Sequence, residues 1–325
     1  MKTEAVRVTA HGGPEVLEVF EAEVGEPGPG EVRLRQKAIG VNYIDVYYRT
    51  GLYKVPLPHG LGNEGAGIVE AVGRGVNGLR EGDRVAYGFG ALGAYAAVRV
   101  VPAATVVKLP AAIDFDTAAA LMLKGLTVQY LFRRVYRLQG DETVLFHAAA
   151  GGVGLIACQW AKALGVKLIG TVGSAAKAQV ARDNGAWATI DYTRENFPGR
   201  VLELTNGAKV PVVFDGVGKD TWEGSLDCLR QMGLMVSFGN ASGPVTGVDL
   251  GILAQKGSLF VTRPTLATFA APRERLEESC AELFDLVERG AIKVRIERRY
   301  RLADAAQAHR DIASRSTVGS LVLTA

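Results

Sequence analysis

The sequence predicts an α/β protein in which a doubly wound parallel sheet accompanies a second, β-rich domain. From about residue 125 onward, apolar stretches of strand length alternate with helical stretches. The six predicted strands lie near residues 143–148, 166–172, 188–192, 210–215, 233–238 and 257–262. The stretch at 210–215 is apolar along nearly its whole length, as expected of a strand that is covered on both faces.

The remainder of the chain has a different pattern. Before residue 125, short predicted strands are divided by Gly- and Pro-rich turns, which indicates an antiparallel domain. After Pro264 the sequence predicts an amphipathic helix over 273–289 and strands at 292–300 and 319–323. Because the parallel sheet is already complete by then, we expect this tail to return to the first domain. The predicted domains are therefore 1–124 with 265–325, and 125–264.

A glycine turn follows the first strand of the predicted parallel sheet. Residues 143–154, TVLFHAAAGGVG, form a buried strand and a turn that opens a helix over 155–164. Ala149, Gly151 and Gly154 occupy the small-residue positions of an A-x-G-x-x-G dinucleotide-binding motif, where the backbone must approach a pyrophosphate. The same pattern also suits a tight strand–helix turn in any α/β protein, but a second strand follows and favours nucleotide binding. The predicted pyrophosphate contacts are Ala150, Gly151, Gly152, Val153 and Gly154.

The end of the second predicted strand indicates which dinucleotide binds. An NAD site usually has an acidic residue there for the ribose 2′-hydroxyl, whereas this chain has Gly173 and Ser174. Ser174 can donate a hydrogen bond to a 2′-phosphate and Lys177 can supply positive charge. Tyr192, after the third strand, would complete the adenosine pocket. The alternative is that Lys177 is only a solvated lysine; the pattern favours NADPH over NADH.

Composition excludes several other classes of protein. The chain has 325 residues, of which 48% are hydrophobic and 22% charged, and a net charge of +3, too small to indicate nucleic acid as the main partner. No signal peptide and no membrane-spanning apolar run is visible. Three widely spaced cysteines argue for reduced thiols, so we expect a cytoplasmic protein.

Several segments resemble the medium-chain dehydrogenase/reductase superfamily over essentially the whole chain. They are GVNYID at 40–45, LGNEGAG at 61–67, GDRV at 82–85, AAGGVG at 149–154 and GSLVL at 319–323. Residues 147–162, 225–229 and 233–240 are similar to the zeta-crystallin-like branch, the zinc-free NADPH:quinone oxidoreductases. The resemblance implies a Rossmann-type domain at 125–264 and a GroES-like catalytic domain at 1–124 and 265–325.

Two asparagines distinguish the chain from the zinc alcohol dehydrogenases. That branch has a zinc-ligating Cys where this chain has Asn42 and a His where it has Asn63. Asparagine is not a usual zinc ligand, and the four histidines have no metal-like spacing. The four-cysteine structural zinc loop of that branch is also absent. We therefore expect no metal. A quinone is electron-poor enough to accept a hydride or electrons without a Lewis acid.

The resemblance and the strand ends together predict the site residues. By resemblance, the nicotinamide end of the cleft is lined by Asn42, Asp45, Tyr47, Tyr53 and Thr127, of which Asn42 and Thr127 also contact the cofactor. Each tyrosine is alternatively an ordinary core or surface residue, and Asp45 alternatively only fixes its turn. Ligands bind at strand ends of open α/β sheets, which adds Phe238, Gly239, Asn240, Phe260, Thr262 and Arg263. The sequence identifies no single general acid.

Three functions remain open at this stage. The first is NADPH-dependent reduction of quinones; the second is reduction of α,β-unsaturated carbonyls with the same cofactor. The third, of another class, is an NADPH-regulated RNA-binding protein, as some relatives of this branch are. The resemblance also implies a homodimer, with the edge near 256–262 pairing across a two-fold axis.

Overall fold

The computed structural model describes residues 1–325, and the chain divides into two units. Unit 1 comprises residues 1–126, 270–289 and 294–325, and unit 2 comprises residues 127–269 and 290–293. Residues 265–269 and 290–293, predicted to lie in the first domain, cluster with unit 2, and residues 125–126, predicted to lie in the second, cluster with unit 1. No helix in the chain has the length and apolar character needed to cross a membrane.

The secondary structure comprises sixteen strands and ten α-helices. The strands are β1 Lys2–Val8, β2 Leu17–Glu23, β3 Glu31–Val41, β4 His59–Gly60, β5 Glu64–Val72, β6 Arg84–Tyr87, β7 Val98–Pro102, β8 Val107–Lys108, β9 Thr143–Phe146, β10 Lys167–Val172, β11 Ala188–Asp191, β12 Val210–Asp215, β13 Leu229–Ser237, β14 Phe260–Thr262, β15 Ile296–Arg301 and β16 Ser320–Thr324. The helices are α1 Tyr43–Thr50, α2 Phe115–Tyr130, α3 Gly152–Ala163, α4 Ala175–Asp183, α5 Phe197–Leu204, α6 Trp222–Cys228, α7 Gly251–Gln255, α8 Leu266–Ala270, α9 Arg273–Glu288 and α10 Ala305–Ala313. A π-helical turn, Leu131–Val135, follows α2.

Unit 2 contains the parallel sheet that the sequence predicts. Its six strands lie in the order β11-β10-β9-β12-β13-β14, and every neighbouring pair is parallel. Every residue of β12 is buried, which explains why its sequence is apolar almost throughout. The core beside it includes Leu145, Ile169, Val213 and Met235. This order places the ends of β9 and β10, where nucleotides bind in such sheets, next to each other.

Unit 1 is built on a seven-stranded sheet and a three-stranded sheet. The larger sheet has the order β15-β16-β3-β5-β6-β8, with β7 also pairing β3, and the smaller has the order β2-β1-β4. Strand β16 pairs antiparallel with β3, so the C-terminal tail returns to the N-terminal part of the chain, as the sequence predicts. Apolar side chains such as Leu34, Ile39, Val85 and Leu323 form the core.

Helix α1 was not predicted from the sequence, because only strands and turns were expected in this region. The helix begins with a capping box in which the Asn42 side chain and the Asp45 side chain each bind the other residue's backbone amide. It ends at Gly51, whose φ of 77° is the left-handed conformation that favours glycine. The spacing Asn42–Asp45 and the terminal glycine are both visible in the sequence, so this helix was predictable.

Candidate cofactor and substrate sites

The glycine turn of unit 2 presents a helix N-terminus at the end of β9. Ala148, with φ 57°, turns the chain out of the strand, and the Ala149 amide donates to the Thr171 carbonyl at 3.0 Å. Helix α3 begins at Gly152, not at Leu155 as the sequence analysis predicted, and no side chain caps it at Gly151. Its first-turn amides have no partner within the helix, so they can bind an anion.

Close packing requires small residues around this turn. A Cβ atom at Gly154 would lie 2.3 Å from the Ala148 carbonyl oxygen and 2.6 Å from the Ala149 Cα atom. A Cβ atom at Gly170 on β10 would lie 2.5 Å from the Cβ atom of Ala149. At Gly151 the nearest such contact is 3.3 Å, a milder restriction. The turn therefore fits the backbone approach that a dinucleotide pyrophosphate needs, with Gly154 as its tightest position.

The residues predicted to contact a 2′-phosphate meet at the ends of β10 and β11. Ser174 is the N-cap of α4, and its Oγ accepts a hydrogen bond from the Lys177 amide at 3.3 Å, which leaves the hydroxyl proton available to an anion. A Cβ atom at Gly173 would lie 2.7 Å from the Tyr192 hydroxyl, so this half-exposed ring covers the glycine. No acidic side chain takes part in these contacts. The group suits a phosphorylated adenosine.

A second group of predicted cofactor residues lies at the ends of β13 and β14. A Cβ atom at Gly239 would lie 2.3 Å from the Gly216 carbonyl oxygen, so two loops nearly touch there. The Phe238 ring packs 5.6 Å from the ring of Phe146. Arg263 Nη1 donates to the carbonyl oxygens of Ser237, at 2.8 Å, and Gly239, at 3.2 Å. Asn240 directly follows Gly239 in the chain. The other two predicted residues of this group, Phe260 and Thr262, belong to β14.

A row of buried, hydrogen-bonded polar side chains lies next to the glycine turn. His147 Nδ1 lies 2.8 Å from Thr171 Oγ1, and its Nε2 lies 2.9 Å from Ser225 Oγ. Ser225 donates to Asp215 Oδ2 at 3.0 Å, so it accepts from His147, which is neutral because burial lowers the pKa of its ring. His147 is therefore a hydrogen-bonded core residue. These hydrogen bonds join the ends of strands β9, β10 and β12.

In unit 1, Asn42 and Asp45 form the start of helix α1. The Asn42 amide donates to Asp45 Oδ2 at 2.9 Å, and the Asn42 side chain donates to Glu64 Oε2 at 2.8 Å. Asp45 has no exposed surface, and it also accepts from the Tyr95 hydroxyl at 3.0 Å and from the Asn63 amide at 3.4 Å. Its carboxyl group therefore cannot contact a substrate directly; it stabilises the start of the helix that carries the predicted substrate residues.

Four tyrosines cluster on α1 and just after it. The ring of Tyr47 packs edge-on against those of Tyr43, at 5.5 Å, and Tyr53, at 5.2 Å, and Tyr53 also contacts Tyr48. Tyr47 is buried, whereas Tyr43 and Tyr53 are partly exposed. The structure thus brings Asn42, Asp45, Tyr47 and Tyr53 together in unit 1. Thr127, the remaining predicted substrate residue, is a buried residue of α2 that belongs to unit 2.

A buried ion pair that the sequence pattern does not predict joins β5 to α2. Glu64 is fully buried at the start of β5, and Lys124 Nζ on α2 lies 2.9 Å from its Oε2 atom. Glu64 Oε1 also accepts from the Leu123 amide at 2.8 Å. Gly40 makes room for this carboxylate, since a Cβ atom there would lie 2.2 Å from Glu64 Oε2. The only signal in the sequence was an acidic residue inside an apolar strand.

The side chains at the zinc-ligand positions do not fit a zinc ion. Asn42 and Asn63 direct amide N–H groups at the carboxylates of Glu64 and Asp45, and an amide nitrogen that donates in this way is no metal ligand. Nowhere in residues 1–325 do three or more His, Cys, Asp or Glu side chains come together in a way that could hold a metal ion.

Asp45 gives the protein a pH-dependent stability. Burial raises its pKa from 3.8 to about 7, against the lowering effect of its hydrogen-bond donors and Lys124. Because the folded pKa exceeds the unfolded one, the stabilising contribution is complete below pH 3.8 and is lost as the pH rises through 7. We expect the wild type to lose about 2 kcal/mol relative to Asp45→Asn between pH 5 and pH 8. Urea unfolding at both pH values tests this; parallel curves for the two proteins would contradict it.

Known protein families and individual proteins are similar to this chain over most of its length. Residues 28–111 match the model of the alcohol dehydrogenase GroES-like domain, and residues 152–288 match that of the zinc-binding dehydrogenases. The chain is 62% identical to a quinone oxidoreductase of Pseudomonas aeruginosa over 98% of both chains. It is 57% identical to quinone oxidoreductase 1 of Escherichia coli, covering 96% of this chain and 97% of that one.

The chain belongs to the quinone oxidoreductases of the medium-chain dehydrogenase/reductase superfamily. Among solved structures, the quinone oxidoreductase of Escherichia coli complexed with NADPH superposes with a TM-score of 0.98 at 56% identity, covering 99% of this chain and 100% of that one. The Rossmann-type and GroES-like assignment of the fold is confirmed. These relatives do not favour the alternatives of an enone reductase or an RNA-binding protein.

Proposed function

We propose that this quinone oxidoreductase reduces quinones with NADPH and without a metal. The observation that carries the proposal is the bonding of Asn42 and Asn63, whose amides point at carboxylates where the zinc dehydrogenases have ligands. Without a Lewis acid, an alcohol or unactivated ketone is a poor substrate, whereas a quinone accepts a hydride or electrons directly. The family to which the chain belongs and the NADPH complex of its Escherichia coli relative support the same conclusion.

In this proposal the residues of unit 2 bind and orient the cofactor. The turn residues Ala150 and Gly151 and the first-turn amides of α3, from Gly152 to Gly154, hold the pyrophosphate, and Ser174 and Lys177 hold the 2′-phosphate. When bound, NADPH supplies the hydride or electrons. The remaining cofactor contacts, at the adenosine and nicotinamide ends, are Gly173, Tyr192, Thr127, Phe238, Gly239, Asn240, Phe260, Thr262 and Arg263.

The residues of unit 1 contact the acceptor in this proposal. Asn42 places an amide beside the α1 N-terminus, and Tyr47 and Tyr53 offer aromatic rings to a flat substrate. Tyr43 adds a partly exposed ring to the same cluster. Asp45 positions these groups from within the protein, since it has no exposed surface.

Product analysis tests the proposed function. The full chain is incubated with NADPH and either 1,4-benzoquinone or a simple enone, and the products are separated by chromatography. We expect hydroquinone from the quinone at a rate far above that of the uncatalysed reaction, and little saturated ketone from the enone. Turnover of the enone alone would assign the chain to the reductases of α,β-unsaturated carbonyls instead.

The cofactor preference is predicted to depend on Lys177. Replacing it by alanine removes a positive charge beside the N-cap Ser174, so we expect the dissociation constant for NADPH to rise roughly tenfold and that for NADH to stay unchanged. Tyrosine and tryptophan fluorescence titrations measure both constants. Lys162→Ala, at an exposed position in the last turn of α3, is the matched control and is expected to change neither. Equal weakening of both dinucleotides by Lys177→Ala would contradict the assignment.

We propose that the chain forms a homodimer through the edge of the unit 2 sheet. Strand β14 ends this sheet and pairs only with β13, and its Phe260 and Val261 side chains are exposed by 60% and 41%. An open edge with apolar side chains favours pairing with a second copy across a two-fold axis. We expect sedimentation to show a dimer that Val261→Lys dissociates and that Leu202→Lys, an exposed apolar position on α5, leaves intact. A monomeric wild type would refute this.

We propose a cytoplasmic location on the basis of the cysteines. Cys158, Cys228 and Cys280 are free and buried, and burial raises the pKa of each thiol to about 12. Such thiols suit a reducing compartment, where no disulfide is needed for stability.

A further inference from the structure

A buried hydrogen-bonded chain links helix α10 to the start of helix α1 within unit 1. Arg49 Nη1 lies 3.0 Å from His309 Nδ1, His309 Nε2 lies 3.0 Å from the Tyr95 hydroxyl, and this hydroxyl lies 3.0 Å from Asp45 Oδ2. All four side chains are at least nine-tenths buried. Only Asp45 among them belongs to the predicted site, so the other three need an explanation.

The direction of every hydrogen bond in this chain follows from chemistry. A guanidinium group cannot accept, so Arg49 donates and His309 Nδ1 carries no proton. The ring is therefore neutral with its proton on Nε2, in keeping with its pKa, which burial and the charge of Arg49 lower to about 3. His309 then donates to the Tyr95 oxygen, and Tyr95 donates to Asp45.

This fixed direction excludes proton conduction along the chain. A proton leaving Asp45 would need an acceptor nitrogen on His309, and both ring nitrogens are already committed, one as donor to Tyr95 and one as acceptor from Arg49. These side chains instead form a row of hydrogen bonds that all donate in the direction of Asp45 Oδ2. Such charge-assisted bonds stabilise a buried carboxylate.

We propose that Tyr95 and His309 are positioning residues for the acceptor site, because they hold the Asp45 carboxylate that fixes the first turn of α1. Asn42 is the N-cap of this helix and Tyr47 lies one turn further along it, and both contact the acceptor in the proposed function, on which this inference rests. If Asp45 loses its donor, it takes up a proton more readily and no longer binds the Asn42 amide as strongly. Asn42 and Tyr47 then lose their fixed placement.

Two ionisable groups outside this hydrogen-bonded row also act on Asp45, namely Tyr48 on α1 and Lys124 on α2. Arg49 and Glu64 act on the Tyr95 hydroxyl instead. Two uncharged amides, those of Asn42 and Asn63, also donate to Asp45. Tyr95 and His309 are both uncharged at neutral pH, so replacing either by an uncharged residue removes no charge of its own. A shift in the titration of Asp45 would then report the loss of the aligned donors.

Three variants of the full-length protein test the inference. Tyr95→Phe removes the donor to Asp45, and His309→Leu removes the support of Tyr95. His309→Gln is the matched control, because its amide oxygen can accept from Arg49 while its amide N–H donates to Tyr95. We expect Tyr95→Phe and His309→Leu to raise KM for 1,4-benzoquinone roughly three- to tenfold with kcat changed less than about twofold. We expect His309→Gln to stay near the wild type. We expect the NADPH dissociation constant to change less than about twofold in all three variants, because the pyrophosphate and 2′-phosphate contacts belong to unit 2.

The pH dependence of unfolding separates this inference from the proposed function. In the wild type, stability falls as Asp45 ionises near pH 7. Loss of the donor moves the midpoint of that fall upward in Tyr95→Phe and His309→Leu, and His309→Gln leaves it in place. An unmoved midpoint, or His309→Gln as impaired as His309→Leu, overturns the inference. If the wild type fails to reduce quinones, the proposed function is wrong. The pH midpoint of the fall in stability then still shows whether Tyr95 and His309 hold Asp45. Should His309→Leu not fold, Tyr95→Phe decides alone.

Discussion

Gly154→Ala is expected to lose most of the affinity for NADPH. The new Cβ atom would lie 2.3 Å from the Ala148 carbonyl oxygen and 2.6 Å from the Ala149 Cα atom, both of them backbone atoms that no side-chain rotation can move away. The first turn of α3 must therefore shift, and with it the amides that bind the pyrophosphate. An overpacked site of this kind costs about 1–3 kcal/mol, so we expect the NADPH dissociation constant to rise roughly tenfold or more.

The same titration on Gly140→Ala provides the control. Gly140 lies in an exposed turn of unit 2, and a Cβ atom there would meet only the Leu164 carbonyl oxygen at 3.5 Å, an ordinary contact. We expect this variant to bind NADPH like the wild type. Thermal unfolding of both variants shows whether Gly154→Ala remains folded. If Gly154→Ala binds NADPH as tightly as Gly140→Ala, the assignment of this turn to the pyrophosphate is wrong.

Lys124→Met is expected to destabilise the protein by about 3–5 kcal/mol, the typical cost of removing one partner from a buried ion pair. Its ammonium group lies 2.9 Å from Glu64 Oε2, and both side chains are buried. Methionine fills the space of the lysine stem but leaves the carboxylate with only the hydrogen bonds from Leu123 and Asn42. Urea unfolding measures the loss of free energy.

Two comparisons make this second prediction specific. Lys2→Met breaks the exposed pair of Lys2 with Glu21, where the side chains are 68% and 61% exposed, and we expect a loss of about 1 kcal/mol or less. Adding Glu64→Gln to Lys124→Met removes the unpaired charge, so the double variant is expected to be more stable than Lys124→Met alone. A Lys124→Met loss no larger than that of Lys2→Met would show that the buried pair contributes little.

The fold was predictable where its determinants are local. Strand β12 is buried on both faces, so its sequence is apolar and its identity follows from composition alone. Gly154 is required by contacts with Ala148 and Ala149 in the same turn, which is why the motif and its role are visible in the sequence. The start of α3 was placed too late because glycines resemble a turn, although Gly152 and Gly154 here belong to the helix itself.

The polar support of the candidate site was not predictable, because its partners are far apart in the chain. His309 binds Arg49 across 260 positions and Tyr95 across 214, and Lys124 binds Glu64 across 60. No spacing rule connects such residues; only the fold brings them together. Asn42 and Tyr47 came from the resemblance to the superfamily. Asp45 came from it too, but its place three residues after Asn42 already indicated a capping box.

The most direct test of metal-free, NADPH-dependent quinone reduction is a steady-state comparison of the two cofactors. Purified full-length protein is assayed with 1,4-benzoquinone and with a naphthoquinone, using NADPH or NADH, before and after prolonged treatment with a strong chelator. We predict a kcat/KM for NADPH roughly tenfold or more above that for NADH, because Ser174 and Lys177 favour a 2′-phosphate, with the same rate after chelation. A preference for NADH, or activity that the chelator abolishes and zinc restores, would contradict the account.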